Sequence, residues 1–397
     1  MIQEQSRIRP AVYGIGLYLL LAAADSFRIG SLGSILKIVA LIPVALFLLD
    51  LKKLYLRFHP VLVIQLIFWL LSIFSLFFTV NTQKTIYAVL TLTLNLMLTL
   101  ALGSLEIFSK RELQLMQRAL QLGGWVTIFL MLVTSDFSAG GRLTLRLGES
   151  TQDQNYINGF FIYTFSYHFQ RLLEKSEKKQ LFPVFLILAI VLMTGSRGAL
   201  LAYAITGFVH ICVLLSHSHN RVRNIILAVV VLILTGVLFD VILGFMPEQV
   251  AMRFSWDYIA EKGTTGRIKV WRFLLQHFSQ DNLFRMLFGH GYGTSQYINT
   301  INGNVAHNLY IDNLITLGIS GLLVQLATQG TICWILLQRQ KYTLFATYAG
   351  MLCMCLSLSL VAYKPIWNVM LLTLAIDLHC RATDSDSTIM GGNERVL

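Results

Sequence analysis

The sequence has few charged residues. Asp, Glu, Lys and Arg make up 13% of its 397 residues, whereas a soluble domain carries about 25%. Apolar residues account for 55%, and the mean hydropathy is +0.65. Apolar runs of about 17 to 22 residues recur along the chain, and each can cross a bilayer core about 30 Å thick. The composition therefore excludes an ordinary soluble domain and predicts a polytopic membrane protein.

Other signals are also scarce. The five cysteines all lie in or beside apolar segments, which argues against a disulfide framework or a zinc site, and we expect no metal or cofactor. The chain lacks a basic low-complexity arm and a nucleic-acid motif, so its net charge of +11 does not indicate a nucleic-acid partner. The first apolar segment lacks an Ala-x-Ala cleavage site, and we expect it to be an anchor rather than a cleaved signal peptide.

The apolar runs predict an all-α bundle of about 12 transmembrane helices. Residues 1–244 hold the first nine spans, residues 245–306 form a large extracytoplasmic loop, residues 307–380 hold the last three spans, and residues 381–397 form a cytoplasmic tail expected to be disordered. The predicted spans are 11–26, 32–50, 60–80, 85–103, 119–135, 156–170, 181–195, 199–215, 224–244, 307–337, 343–362 and 365–380.

Lys and Arg indicate the orientation. With the N-terminus inside, 18 of them fall on inside segments and 6 on short outside segments. Inside loops carry the excess of Lys and Arg in membrane proteins. We therefore expect both termini in the cytoplasm and the long loop outside.

Arg197 stands in a Gly-Ser-Arg-Gly turn between two apolar segments. The preceding run, 181–194, would form only about 21 Å of helix at 1.5 Å per residue. The turn is then recessed below the outer headgroups, where an arginine needs an anionic partner or a wet cavity. Outside segments also carry Arg142, Arg146, Arg267 and Arg272. Guanidinium groups bind phosphate oxygens well, so arginines that converge would bind a diphosphate lipid headgroup. The alternative for Arg197 is that it lies at a helix end and binds the exposed carbonyls there.

Three stretches of the long loop and the following span carry further candidates. In the segment 264–278, an apolar stripe recurs at helical spacing, formed by Ile268, Trp271, Leu275 and Phe278. The stripe predicts an amphipathic helix at the outer interface, or a basic face in contact with lipid headgroups. The run "FGHGYG" alternates Gly289, Gly291 and Gly293, which would let the backbone approach a ligand closely or form an irregular turn. His290 stands within this run, as a bystander or with a role left open.

His307 and Asn308 stand where the loop re-enters the membrane. A histidine there titrates near neutral pH and can accept a proton from a hydroxyl; an interfacial histidine anchored at the headgroups is the alternative. Asp312 follows His307 by five residues, about a turn and a half deeper in the membrane. Two roles are open for it: it orients His307 or a neighbour, or it makes a polar contact inside the bundle.

These motifs together resemble the O-antigen ligase and O-antigen polymerase (Wzy-type) superfamily. His307 and Asn308, nine residues, Gly318, two residues and Gly321 match its His-Asn pattern. The Ser-Arg-Gly turn, the Gly-Arg-x-x-x-Trp at 266–271 and the Gly-x-Gly-x-Gly run precede it in the expected order. His290 departs from the family, which more often has a small or apolar residue there.

The resemblance implies a GT-C-like membrane glycosyltransferase that takes a glycan from undecaprenyl diphosphate without a nucleotide sugar or a metal. By this resemblance Arg197 and Arg267, with Arg142 or Arg146, would bind the diphosphate, and His307 would activate or position the acceptor hydroxyl. Arg272 is a further candidate for the diphosphate because it lies on the same outside segment as Arg267. The resemblance also implies the cytoplasmic (inner) membrane of a bacterium, with the active site outside the cytoplasm. The candidates for substrate positioning are Asn308, Tyr310, Asp312, Gly289, Gly291 and Gly293.

The acceptor distinguishes two enzymes. A polymerase joins lipid-linked repeat units of O-antigen, capsule or exopolysaccharide, with a flippase and a chain-length regulator as possible partners. A ligase moves the glycan to lipid A-core or another acceptor. Nothing marks a lipid A-core partner, which favours the polymerase. A polysaccharide-lipid transporter is the alternative from another class, but transporters often show repeated halves, and none is visible here.

Overall fold

The computed structural model describes residues 8–22, 25, 28–29, 33–49, 58–105, 108–134, 141–147, 150–151, 153–175, 177–217, 226, 229, 236–237, 241–255, 258, 266–358 and 363–393. Most of these residues are helical. The helices in these residues include α1 (Pro10–Leu20), α2 (Ile35–Leu49), α3 (Pro60–Phe74), α4 (Thr82–Gly103), α5 (Lys110–Thr134), α6 (Gln154–Asn158), α7 (Ile162–Lys175), α8 (Leu181–Met193), α9 (Arg197–His217), α10 (Glu248–Ala251), α11 (Arg267–Ser279), α12 (Leu283–Phe288), α13 (Ser295–Ile298), α14 (Leu309–Gln338), α15 (Tyr342–Met354) and α16 (Lys364–Asn393).

Short 3-10 turns and two small hairpins complete the described structure. The turns are Ser75–Phe77, Gly159–Phe161, Lys178–Gln180 and Met252–Phe254. Strands β1 (Arg28–Ile29) and β2 (Gly33–Ser34) pair antiparallel, as do β3 (Arg146–Leu147) and β4 (Ser150–Thr151).

Five of the described helical segments are long and apolar enough to cross a membrane. They are Pro60–Phe77, Thr82–Gly103, Lys110–Thr134, Arg197–Ser216 and Leu309–Gln338. All five fall on predicted spans, so a helical protein with several membrane-spanning helices is confirmed. The predicted total of twelve is not reached among the described residues. Shorter apolar helices stand at the first, second and eleventh predicted spans, and most of the ninth, 224–244, lies outside the described residues.

The tail differs from the prediction. Residues 381–397 were expected to be disordered, yet α16 continues the last predicted span as a helix through Asn393. Extending an existing helix needs no new nucleus, because each added residue gains one backbone hydrogen bond. The Asp, Ser and Gly residues of the tail therefore do not by themselves end the helix.

Helix packing brings distant segments together at one end of the bundle. α9 lies along α15, and α14 packs against α3, α12 and α11. The contact between α11 and α14 buries Val270 and Leu274 against Ala306 and Ile315. Helix α11 is therefore held on the bundle by its apolar face.

Candidate functional site

The Gly-Ser-Arg-Gly turn between α8 and α9 is fixed by its own polar groups. Gly195 has a φ of +62°, a conformation that residues with a Cβ rarely adopt. The Ser196 hydroxyl accepts a hydrogen bond from the Ala199 N–H at 3.1 Å and donates one to Asn155 Oδ1. Arg197 then follows as the first residue of α9, so its backbone position is set by the turn.

Two arginines from other segments hold the same turn. Arg142 Nε donates to the Thr194 carbonyl at 2.8 Å, and Arg253 Nε donates to the Gly195 carbonyl at 3.1 Å. These carbonyls lie just beyond the end of α8, where a helix leaves carbonyls without intrahelical partners. Arg142 and Arg253 therefore make, at this helix end, the kind of carbonyl contact that was also considered for Arg197.

The arginines influence one another electrostatically. The pKa of Arg142 is lowered to about 10, chiefly by burial and also by Arg253 and Arg267, while Asp153 opposes the decrease. Burial also lowers the pKa of Arg267, against the effect of Asp153, and Arg197 and Arg253 add to the decrease. Charges shift one another's pKa in this way only over short distances. Arg142, Arg197, Arg253 and Arg267 therefore share one neighbourhood, in which Asp153 acts on Arg142 and Arg267.

Two other predicted arginines are exposed. Arg146 lies on β3, and Arg272 lies on α11. Arg272 follows Arg267 by five residues, which turns it by about 140° around a helix of 3.6 residues per turn. Arg142, Arg197, Arg253 and Arg267 are hereafter the arginine cluster, and diphosphate binding by Arg146 and Arg272 stays a prediction.

His307 faces the arginine cluster. It is half-buried, and burial lowers its pKa; Arg267 lowers the pKa further, and Asp153 raises it. The imidazole is therefore mainly neutral at pH 7, which is the form that accepts a proton. Its φ of +50° is uncommon for a residue with a side chain, and such conformations cluster at functional sites.

Contacts on both sides hold His307 in place. The Trp271 indole donates to the Ala306 carbonyl at 2.7 Å, which ties the loop to α11. The Leu309 N–H donates to the Cys355 carbonyl at 2.8 Å, which ties the start of α14 to the end of α15. Asn308 caps α14 by accepting from the backbone N–H groups of its first turn. His307 is thus set between α11, α14 and α15.

Comparison with known families agrees with this geometry. Residues 182–326 match the family model described as O-antigen ligase.

This segment is similar to the O-antigen ligase family.

The match confirms the resemblance to the O-antigen ligase and polymerase superfamily, and it spans Arg197, Arg253, Arg267 and His307. The comparison with curated proteins finds no match.

Within residues 182–326, the glycine run packs on a kink in α14. Gly318 interrupts that helix with φ +69° and ψ −164°. The carbonyls of Ile315 and Thr316 instead accept from the N–H groups of His290 at 3.1 Å and Gly291 at 2.9 Å. The glycine run therefore supplies backbone donors to the kinked helix.

Protein atoms occupy the space beside these glycines. A Cβ on Gly289 would lie 2.5 Å from the Leu317 nitrogen, and one on Gly291 would lie 2.5 Å from the Thr79 Cβ. The φ angles of Gly289, Gly291 and Gly293 are +74°, +111° and +78°. At Gly289 and Gly291 the close backbone approach that the sequence predicted is to the protein itself, so substrate positioning by the run stays a prediction.

The remaining positioning candidates have protein partners as well. Buried Asp312 accepts a hydrogen bond from the Ser295 hydroxyl, which joins α14 to α13. Of the two roles predicted for Asp312, this hydrogen bond corresponds to the polar contact inside the bundle rather than to the one that orients His307. The Tyr310 hydroxyl lies 3.5 Å from the Leu352 carbonyl on α15. Neither contact tests a role toward substrate.

Sequence reasoning missed Arg253 and Asp153 as members of the site. Arg253 stands in the long loop without a recognised motif around it. Asp153 accepts from the Asn155 and Tyr156 N–H groups at 2.8 and 3.2 Å, so it caps α6. Its position before a helix and among polar residues is a signal for a cap, but not for a charge that faces arginines.

Proposed function

We propose that this protein is an integral-membrane glycosyltransferase that polymerises oligosaccharide repeat units carried on undecaprenyl diphosphate. It would act at the outer face of the bacterial cytoplasmic membrane, with both termini in the cytoplasm. A flippase that delivers the lipid-linked units and a chain-length regulator would be its partners. The alternative is a ligase that moves the glycan to lipid A-core or another acceptor.

One observation carries the proposal: the arginine cluster lies beside a neutral histidine in a segment similar to the O-antigen ligase family. Arg142 and Arg267 both interact electrostatically with Arg253 and with Asp153. A lipid-linked diphosphate carries the negative charge that grouped guanidinium groups bind. Arginines bind phosphate oxygens through paired hydrogen bonds, which suits the leaving group of this reaction.

The proposed reaction is a single displacement. The acceptor hydroxyl oxygen attacks the anomeric carbon of the donor sugar as the bond from that carbon to the diphosphate oxygen breaks. His307 takes the hydroxyl proton, and the arginine cluster stabilises the negative charge that develops on the leaving diphosphate. Attack from the face opposite the leaving group inverts the anomeric centre. No metal is required at the reacting carbon, because the arginines supply the positive charge.

The test uses the full chain in lipid nanodiscs with undecaprenyl-diphosphate repeat units as the only glycan. A polymerase yields a ladder of lengthening glycans on a gel. Transfer that begins only after lipid A-core or another separate acceptor is added identifies a ligase. Movement of the lipid-linked donor across the bilayer without any transfer would contradict the enzyme.

Matched variants then test the site. Arg267→Ala and Arg272→Ala each remove one arginine from α11, but only the first belongs to the arginine cluster. We expect Arg267→Ala and His307→Ala to abolish most transfer, and Arg272→Ala to retain it. Thermal unfolding of each variant separates loss of chemistry from loss of folding. Full transfer by a folded His307→Ala protein would remove His307 from the mechanism.

A further inference from the structure

Two histidines and an aspartate meet at the other end of α11. One ligand atom from each of His277, Asp281 and His290 lies within 4.8 Å of the others. The His277 and His290 rings are 5.3 Å apart between centroids, and His290 Nε2 lies 2.8 Å from Asp281 Oδ2. In the part of the chain that the structure describes, this is the only trio of His, Cys, Asp or Glu that meets this distance.

The backbone around His290 is already fixed. Its N–H donates to the Ile315 carbonyl at 3.1 Å, and its carbonyl accepts from the Val80 N–H at 3.0 Å. His290 is only 7% exposed. Its ring is thus held between the α3–α4 connection and the kinked helix α14, which prepares one ligand before any ion arrives.

The side-chain types of the trio suit a divalent transition-metal cation such as Zn²⁺. A neutral imidazole has the lone pair that a metal needs, and two imidazoles with one carboxylate form a common zinc ligand set. Arg285 is a nearby positive charge that opposes the binding of a cation. Its guanidinium donates hydrogen bonds to the carbonyls of Phe78 and Gly289 at 2.6 and 3.2 Å.

We propose that His277, Asp281 and His290 bind one Zn²⁺ ion, with a water molecule as the fourth ligand. The ion replaces the hydrogen bond between His290 and Asp281 and releases any proton held there. This site departs from the expectation, based on the cysteines, that the chain holds no zinc. It also gives a role to His290, the residue at which the glycine run differs from the resembling family.

The ion would clamp the C-terminal end of α11 to the glycine run. Arg267 begins α11 and His277 follows ten residues later, so the two lie about 15 Å apart along the helix at 1.5 Å per residue. The clamp would therefore steady the helix that presents Arg267 to the arginine cluster. This consequence rests on the proposed function, whereas the binding of the ion does not.

The test measures zinc directly. The full chain carries a tag without histidines, is purified in detergent without chelator, and is analysed for bound metal by mass spectrometry. We expect one zinc per chain, and one site again when ZnCl₂ is titrated into EDTA-stripped protein. Loss of a residue that only hydrogen-bonds to a metal ligand typically weakens metal affinity about 10- to 100-fold. Loss of a direct ligand in His290→Ala or His277→Ala should therefore weaken zinc binding at least about 100-fold.

The control is His307→Ala, which removes another histidine near α11 and should keep the zinc. Cobalt substitution adds a spectroscopic check, since visible bands typical of tetrahedral coordination should appear in the wild type and vanish in Asp281→Ala. The proposal is overturned if the stripped wild type binds zinc no better than the folded His290→Ala protein. Zinc content and glycan transfer are separate readouts, so failure of the zinc site leaves the proposed reaction standing.

Discussion

Replacing Gly289 with alanine should destabilise the protein through backbone overlap. The new Cβ would lie 2.5 Å from the Leu317 nitrogen in α14, well inside ordinary van der Waals contact. The residue also has a φ of +74° and a ψ of −158°, a conformation that costs an L-residue about 1–3 kcal/mol. Forcing an extra methyl group into a packed site costs about a further 1–3 kcal/mol. The expected loss in the free energy of unfolding is therefore about 2–6 kcal/mol.

Gly303→Ala is the matched control. Gly303 has a similar φ of +66°, but apart from its chain neighbours no atom of the described residues lies within 4 Å of the position of its Cβ. It should lose only the conformational part, about 1–3 kcal/mol. The difference between the two variants, about 1–3 kcal/mol, measures the overlap at the crossing with α14.

The assay is denaturant unfolding in mixed micelles, followed by tryptophan fluorescence, together with transfer kinetics on each variant. The sequence offered a different role for the glycine run, as a backbone surface for a ligand. If Gly289→Ala unfolds like Gly303→Ala but its KM for the lipid-linked donor rises strongly, the packing role is wrong and the ligand role is supported.

Three further predictions concern the arginine cluster and His307. Loss of a group that stabilises developing charge typically lowers kcat by about 100- to 1,000-fold, so Arg267→Ala should lower kcat by about that much. An equal loss of kcat in Arg272→Ala would contradict the assignment of the arginine cluster. The pKa of His307 is lowered, and its neutral ring is the base, so kcat/KM should rise with pH and level off through an inflection below the usual histidine pKa of about 6.5. A pH profile without this inflection would argue against a histidine base. Asp153 raises the pKa of His307, so Asp153→Asn, which retains an oxygen to cap α6, should move the inflection of kcat/KM to lower pH. A shift to higher pH would refute the effect of Asp153 on the pKa of His307.

Sequence patterns predicted the helix α11 but not its buried face. The prediction placed Ile268, Trp271, Leu275 and Phe278 on one apolar stripe. The helix is present, but Val270 and Leu274 are its buried residues, while Ile268 and Leu275 are 49% and 43% exposed. Periodicity predicts that a helix has an apolar side, whereas the neighbour that covers a particular residue depends on where α14 lies.

The sequence by itself determined the membrane character, the position of the apolar helices and the order of the family motifs, because hydropathy, chain length and short spacings are local properties. Only the tertiary structure decided which arginines meet. Arg142 and Arg253 reach the turn before Arg197 from segments more than 50 residues away, and Arg272 is exposed although it is only five residues from Arg267. Long-range packing sets these positions, since a side chain's partners depend on which helices lie beside its own.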